Sequence, residues 1–191
     1  MKLYAFPLAA ALLFPSTASA RGSDTLTDLV AASGGAFDQN LFDYDILLNA
    51  VLAAGLDTAL ADPTFDGTLF APNDLAFIFL ARDLGYTGFS EDEAFTTIVD
   101  ALTGLGGGDP IPLLTDILLY HVSPDNLRPL QVIFANSIDT LQGATITPRL
   151  IRLQDNEPDL RDPFLFIPLN VRASNGRLHT ITRVLLPIDV P

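Results

Sequence analysis

"TLFAPNDLAF", Thr68 to Phe77, decides how this chain is organised. Thr68, Leu69 and Phe70 are residues that favour a buried strand. Pro72 has no N–H to give to a ladder and closes the strand. Asn73 and Asp74 then stand immediately before a helical pattern that turns Phe77, Leu80, Ala81 and Leu84 to one side. The first N–H groups of a helix lack partners, and short oxygen-bearing side chains supply them. Capping is therefore the direct reading of the Asn-Asp pair, and a binding site is the competing one. A strand that runs straight into a core-facing helix makes this a chain of mixed α and β structure.

The rest of the chain sorts around that corner. Upstream, "DTLTDLVAAS" offers Asp24 or Thr25 as a cap, with Leu26, Leu29 and Val30 inward. "DILLNAVLAAG" repeats Ile46, Leu47, Ala50, Val51 and Ala54 at helical spacing, with Gly55 as its stop. Downstream, "EDEAFTTIVDALTGL" opens on Glu91, Asp92 and Glu93, where negative charge suits a helix N-terminus. "GGGDPIP" is a loop, and "LLTDILLYHV" is the last helix. From Pro129 the texture changes: "LQVIFA", "SIDTLQG", "ATITPRLIRL", "FLFIPLNVRAS" and "GRLHTITRVLLP" read as short strands between turn residues. Helices first and strands after predict an α+β domain with helices packed on an antiparallel sheet or sandwich.

Residues 1–20, "MKLYAFPLAAALLFPSTASA", carry one lysine, a short apolar run and Ala18-Ser19-Ala20, the pattern of a secretory signal peptide cleaved before Arg21. Residues 21–191 are then one domain, secreted or periplasmic, with no membrane insertion of its own. That domain keeps nine arginines against 23 Asp and Glu, a net charge of −14. Such a surface repels nucleic acid and suits cationic partners or a weak association with divalent cations. No cysteine is present, so neither disulfides nor thiolate metal sites enter.

Five stretches, taken in order, resemble the fasciclin (FAS1) domain. "LLNAVLAAGLDTAL" is similar to its early helix, "TLFAPNDLAF" to its first signature box and "ILLYHV" to its central helix ending in Tyr-His. "DTLQGATI" is similar to its Thr-Leu-x-Gly strand, and "SNGRLHTITRVLLP" to its second box. Thr182 stands where the family usually has an acid, and "TGLGGGDPIPL" is an insert. The resemblance implies a wedge-shaped β-sandwich with a group of packed helices. It also implies an exported protein that mediates adhesion to cells or extracellular matrix by non-catalytic binding. The partner would be a cell-surface or matrix protein or polysaccharide. Two alternatives are a polysaccharide or small-ligand binder and an acidic, cation-recruiting structural component of an envelope or matrix.

Tyr120 and His121 read as core support or a helix-terminal cation, and the resemblance adds partner binding. His179 lies in a strand with no cleanly apolar face, and the resemblance makes that strand central. The two histidines lack metal-ligand spacing, and no serine stands in a G-x-S-x-G elbow. "QDNEPDLRDP" gathers Asp155, Glu157, Asp159 and Asp162 in one loop, oxygen-rich but without EF-hand spacing. The reading assigns no catalytic residue, no cofactor and no metal ligand.

Overall fold

The computed structural model describes residues 23–33 and 35–189, so the leader read over residues 1–20 lies outside the described residues. Three helices come first: α1 (Leu26–Ala31), α2 (Asp45–Ala53) and α3 (Asp57–Leu60). Strand β1 (Gly67–Pro72) leads into α4 (Asp74–Asp83), then α5 (Glu91–Leu105) and α6 (Ile111–Tyr120) follow. The remainder is β2 (Val122–Ser123), α7 (Pro129–Phe134), β3 (Ile138–Asp139), β4 (Thr145–Arg149), β5 (Arg152–Gln154), β6 (Leu165–Ala173) and β7 (Gly176–Ile181). This is the expected mixed α+β fold.

One sheet runs β2-β1-β7-β6 and a second runs β3-β4-β5. β1 and β7, the two signature stretches, lie side by side and parallel, with Phe70 opposite His179. Both are buried on both faces because the side-chain period of two feeds two separate cores. Leu69, Ala71 and Leu178 join the helices in one core. Phe70 and Ile181 join Tyr120, Ile138, Ile146, Leu153, Leu165 and Leu185 in the other, closed by the second sheet. That division explains why β7 shows no clean apolar face in sequence. Gly67 and Gly176 face each other at the start of the pairing, where a Cβ on Gly176 would lie 2.3 Å from the Gly67 carbonyl oxygen.

Local chemistry sets most helix starts. Thr25 and Asp28 close a capping box on α1, and Asn73 caps α4 by accepting from the Ala76 N–H at 3.0 Å. Two expectations are corrected. "LQVIFA" is not a strand but lies mostly in α7: Pro129 takes the first helical turn, where its missing N–H costs nothing, and only Val132 is buried. "ATITPRLIRL" is not one strand but the hairpin β4–β5, turned at Leu150, whose φ is 60°.

Candidate functional site

Four polar regions are separated by whether their atoms have partners. Tyr120 and His121 come first. Their side chains are 0% and 1% exposed, so neither contributes to the surface. The Tyr120 hydroxyl donates to the Thr145 carbonyl at 2.9 Å. His121 Nδ1 lies 2.7 Å from the Ile117 carbonyl, and Nε2 accepts from the Leu185 N–H at 2.9 Å. A neutral ring with its proton on Nδ1 satisfies both contacts, and burial lowers the His121 pKa to about 4. His179 is satisfied in the opposite sense: Nε2 reaches the Leu127 carbonyl at 2.8 Å and Nδ1 accepts from Asn170 N–H at 3.1 Å. With all four ring nitrogens engaged by backbone, the two histidines do not converge on an ion.

His179 does position something. Leu127 and Asn170, the two backbones its ring joins, flank a cleft of about 790 Å³ lined by Asn126, Arg128, Leu130, Gln131, Asn170 and Arg177. The Arg177 guanidinium donates to Asn170 Oδ1 at 2.6 Å, while its buried Nε has no partner. Burial and then the charges of Arg172 and Arg128 lower the Arg177 pKa, with Asp66 acting in the other direction. Three of the chain's nine arginines thus stand together in an acidic chain. Beside them, Leu130 and Phe134 of α7 are 67% and 74% exposed. Sequence reasoning missed this cleft because Arg128 comes from a loop and Arg177 from a strand 49 positions later.

The third region lies at the opening Asn-Asp pair. Asn73 is the cap that its position promised, but Asp74 is wholly buried and reaches away from its own helix. Its oxygens accept from the Ile46 N–H at 2.8 Å and the Asp45 N–H at 3.2 Å, so it caps α2, whose own N-cap residue Tyr44 gives no side-chain bond. Glu91, read as one of three negative charges suiting the start of α5, is 1% exposed. It turns inward because its Oε2 accepts from the Asp38 N–H at 2.7 Å. Asp43, Asp74 and Glu91 converge, and Asp43 also meets Asp45 and Asp38. Burial foremost, then a side-chain hydrogen bond shared with Asp43, raises Asp74 to about 9, and burial followed by the charges of Asp43, Asp45 and Asp38 raises Glu91 to about 7.

The acids of the 154–163 loop behave otherwise. Asp155 accepts from the Leu186 N–H at 2.8 Å and the Glu157 N–H at 3.2 Å. Glu157 accepts from the Asp159 N–H at 2.9 Å, and Asp162 pairs with Arg152. Asp155 and Asp162 fasten the loop to the domain, whereas Glu157 and Asp159 bond within the loop and stand near Asp189. Among the described residues no helix is long and apolar enough to cross a membrane.

Comparison with known proteins agrees with this architecture. The fasciclin domain model matches residues 42–187. A solved FAS1 domain pair from the insect cell adhesion molecule Fasciclin I is similar in fold, with a TM-score of 0.55 at 14% identity. The similarity covers 85% of this chain and 51% of the other, so this chain spans about half the length of that solved chain. No curated protein matches.

Proposed function

This chain belongs to the fasciclin domain family, and from that premise we propose that it is an exported adhesion module that binds without catalysis. The observation carrying this reading is the cleft between Arg128 and Arg177. It gathers Arg128, Arg172 and Arg177 on an acidic chain, with Asp66 held by Asn126 beside them, and is edged by amide side chains and by the exposed Leu130 and Phe134. A guanidinium fork pairs two donors with a carboxylate or sulfate, and amides orient hydroxyl groups beside it. The volume falls within the range of about 300–1,000 Å³ used for ligand sites. This chemistry favours an acidic polysaccharide of a cell surface or matrix as partner.

Tyr120 and His121 enter this reading from below. They end α6 and anchor the chain just before it passes through residues 122–128 to deliver Asn126 and Arg128. Binding acts through a rigid wall, so little ordering entropy is lost on contact. A single cleft is weak by itself, and several copies on a polymer supply avidity. Residues 1–20 would direct export and be removed, leaving residues 21–191 outside the cytoplasm.

The test is adhesion of cells, and of uronic-acid and sulfated polysaccharides, to immobilised protein. Arg128→Ala/Arg177→Ala, shown by melting to be folded, should lose at least about tenfold in affinity, since each charged contact contributes roughly 1.5–3 kcal/mol. The remaining binding should weaken as salt is raised. Binding that the double variant leaves unchanged would move the contact surface elsewhere. Absence of binding to every polymer and cell would remove the adhesion reading itself.

A further inference from the structure

We propose that the pocket between the loop before α2 and the starts of α4 and α5 binds one divalent cation, with calcium the ion its oxygen chemistry fits. Its ligands are Asp43, Asp74 and Glu91, with Asp45 and Asp38 on the outer side.

The carrying observation is the state of individual oxygens. Asp43, Asp45 and Glu91 each have one oxygen tied to an N–H and one with none. Asp43 Oδ2 accepts from the Asn40 amide at 2.9 Å, and Oδ1 has no fixed donor, its carboxylate meeting a hydrogen only when Asp74 is protonated. Asp45 Oδ1 accepts from the Gly35 N–H, and Oδ2 has no partner. Glu91 Oε2 accepts from Asp38, and Oε1 has no partner. These residues are 6%, 0% and 1% exposed, so water does not routinely serve the orphaned oxygens. Buried acceptors without donors are uncommon, and buried carboxylates without counter-charge are costlier still. No arginine answers them: the two ion pairs among the described residues, Arg152–Asp162 and Arg183–Asp83, involve none of the five acids.

The arrangement is what a cation would require. One N–H per carboxylate fixes its orientation and leaves the second oxygen available. The ligand atoms within each triad lie within 4.8 Å of one another. That is about twice a calcium–oxygen distance of roughly 2.4 Å, the widest separation two oxygens on one ion can have. Asp74 has both oxygens on N–H donors, but a carboxylate oxygen carries two lone pairs and can also face an ion. With no cysteine and both histidine rings engaged by backbone, the donors are oxygen alone, which suits a hard ion. Magnesium usually keeps several waters and takes one or two carboxylates. A pocket of four buried carboxylates drawn from three segments favours the larger ion. Asp38, exposed at the rim, marks the entry side.

The site does not depend on the cleft. It sits where "TLFAPNDLAF" meets α2 and α5, so an ion there would lock three helix starts together. The experiment uses the chelator-stripped chain titrated with calcium chloride, and separately magnesium chloride, by calorimetry and thermal melting at neutral pH. One calcium per chain is expected, with Tm rising by roughly 5–10 °C at hundredfold excess over Kd, and a smaller magnesium effect. Asp43→Asn and Glu91→Gln should each weaken calcium at least about tenfold, whereas Asp139→Asn, exposed on β3 and outside every acidic cluster, should leave it unchanged. Terbium(III) in place of calcium gives a readout on wild-type protein should either variant fail to fold. Its emission should be sensitised by Tyr44, which adjoins Asp43 and Asp74, and should fall in Tyr44→Phe. No saturable calcium binding would overturn the proposal and leave protons as the cluster's neutralising ligand. Binding that persists unchanged in both acid variants, or terbium emission indifferent to Tyr44, would also overturn it.

Discussion

Tyr120–His121 and the Asp43–Asp74–Glu91 cluster are both polar, both buried and both next to a signature stretch, yet they have opposite hydrogen-bond status. In the first, the hydroxyl and both ring nitrogens have backbone partners. In the second, orphaned oxygens of Asp43 and Glu91 face like charge. Burial alone does not distinguish support from site. A satisfied buried group stabilises one backbone arrangement, whereas an unsatisfied one implies something further that binds there.

The largest expected effect tests the supporting side. Tyr120 fills the second core, and Tyr120→Ala should cost about 3–5 kcal/mol, as large-to-small core changes do. Tyr120→Phe keeps the ring and removes only the hydroxyl's contacts with the Thr145 and Asn156 backbone, and should cost about 1–2 kcal/mol. Chemical denaturation measures both. Equal losses would mean that the hydroxyl, not the packed ring, holds the core, and would break the comparison.

Next comes the pH profile of stability without added cation, where the two regions pull in opposite directions. His121 is lowered to about 4 in the fold, so its contribution is present above its ordinary 6.5 and is lost as pH falls toward 4. Asp74 and Glu91 are raised to about 9 and about 7, so theirs is present below the ordinary carboxylate range and is lost as pH rises through those values. Asp155, raised to about 6 by burial, acts in the same direction. Asp38, Asp43 and Asp45 are the other acids facing Glu91, and Tyr44, held near 12 by burial, stays neutral throughout. Asp74, Glu91 and Asp155 together outweigh His121, so melting in chelator should show stability falling as pH rises from 4 to 9, with His121 offsetting part of the fall below 6.5. Glu91→Gln should flatten the fall between pH 4.5 and about 7, and calcium should lift the neutral and alkaline end most. A fall over that window unchanged by Glu91→Gln would show that the cluster is not its source.

The smallest effect separates the neighbours at the corner. Asn73→Ala removes one local cap and should cost about 1 kcal/mol at every pH. Asp74→Asn keeps an acceptor toward α2 but removes a crowded charge, so its cost should shrink as pH rises in chelator. Parallel pH dependence for the two variants would mean that Asp74 is merely a second cap.

What could be read in advance divides along the same line. The cap at Asn73, and Thr25 as one of the two caps offered for α1, were legible because donor and acceptor lie three positions apart. The helices α2, α4, α5 and α6 were legible because each keeps an apolar stripe. α7 was not, since six residues with one buried side chain carry little period. The inward turn of Glu91 was not legible because its partner is in another segment.

The sequence by itself determined the order of helices and strands, the strand-to-helix corner and the family resemblance, because those rest on neighbours and on periodicity. Only the tertiary structure decided that Asp74 caps a helix 28 positions away, that Glu91 meets a backbone N–H 53 positions away and that His179 clamps Leu127 across 52. The physical reason is that a side chain's partner is fixed by which elements pack together. No local preference of Asp, Glu or His contains that information.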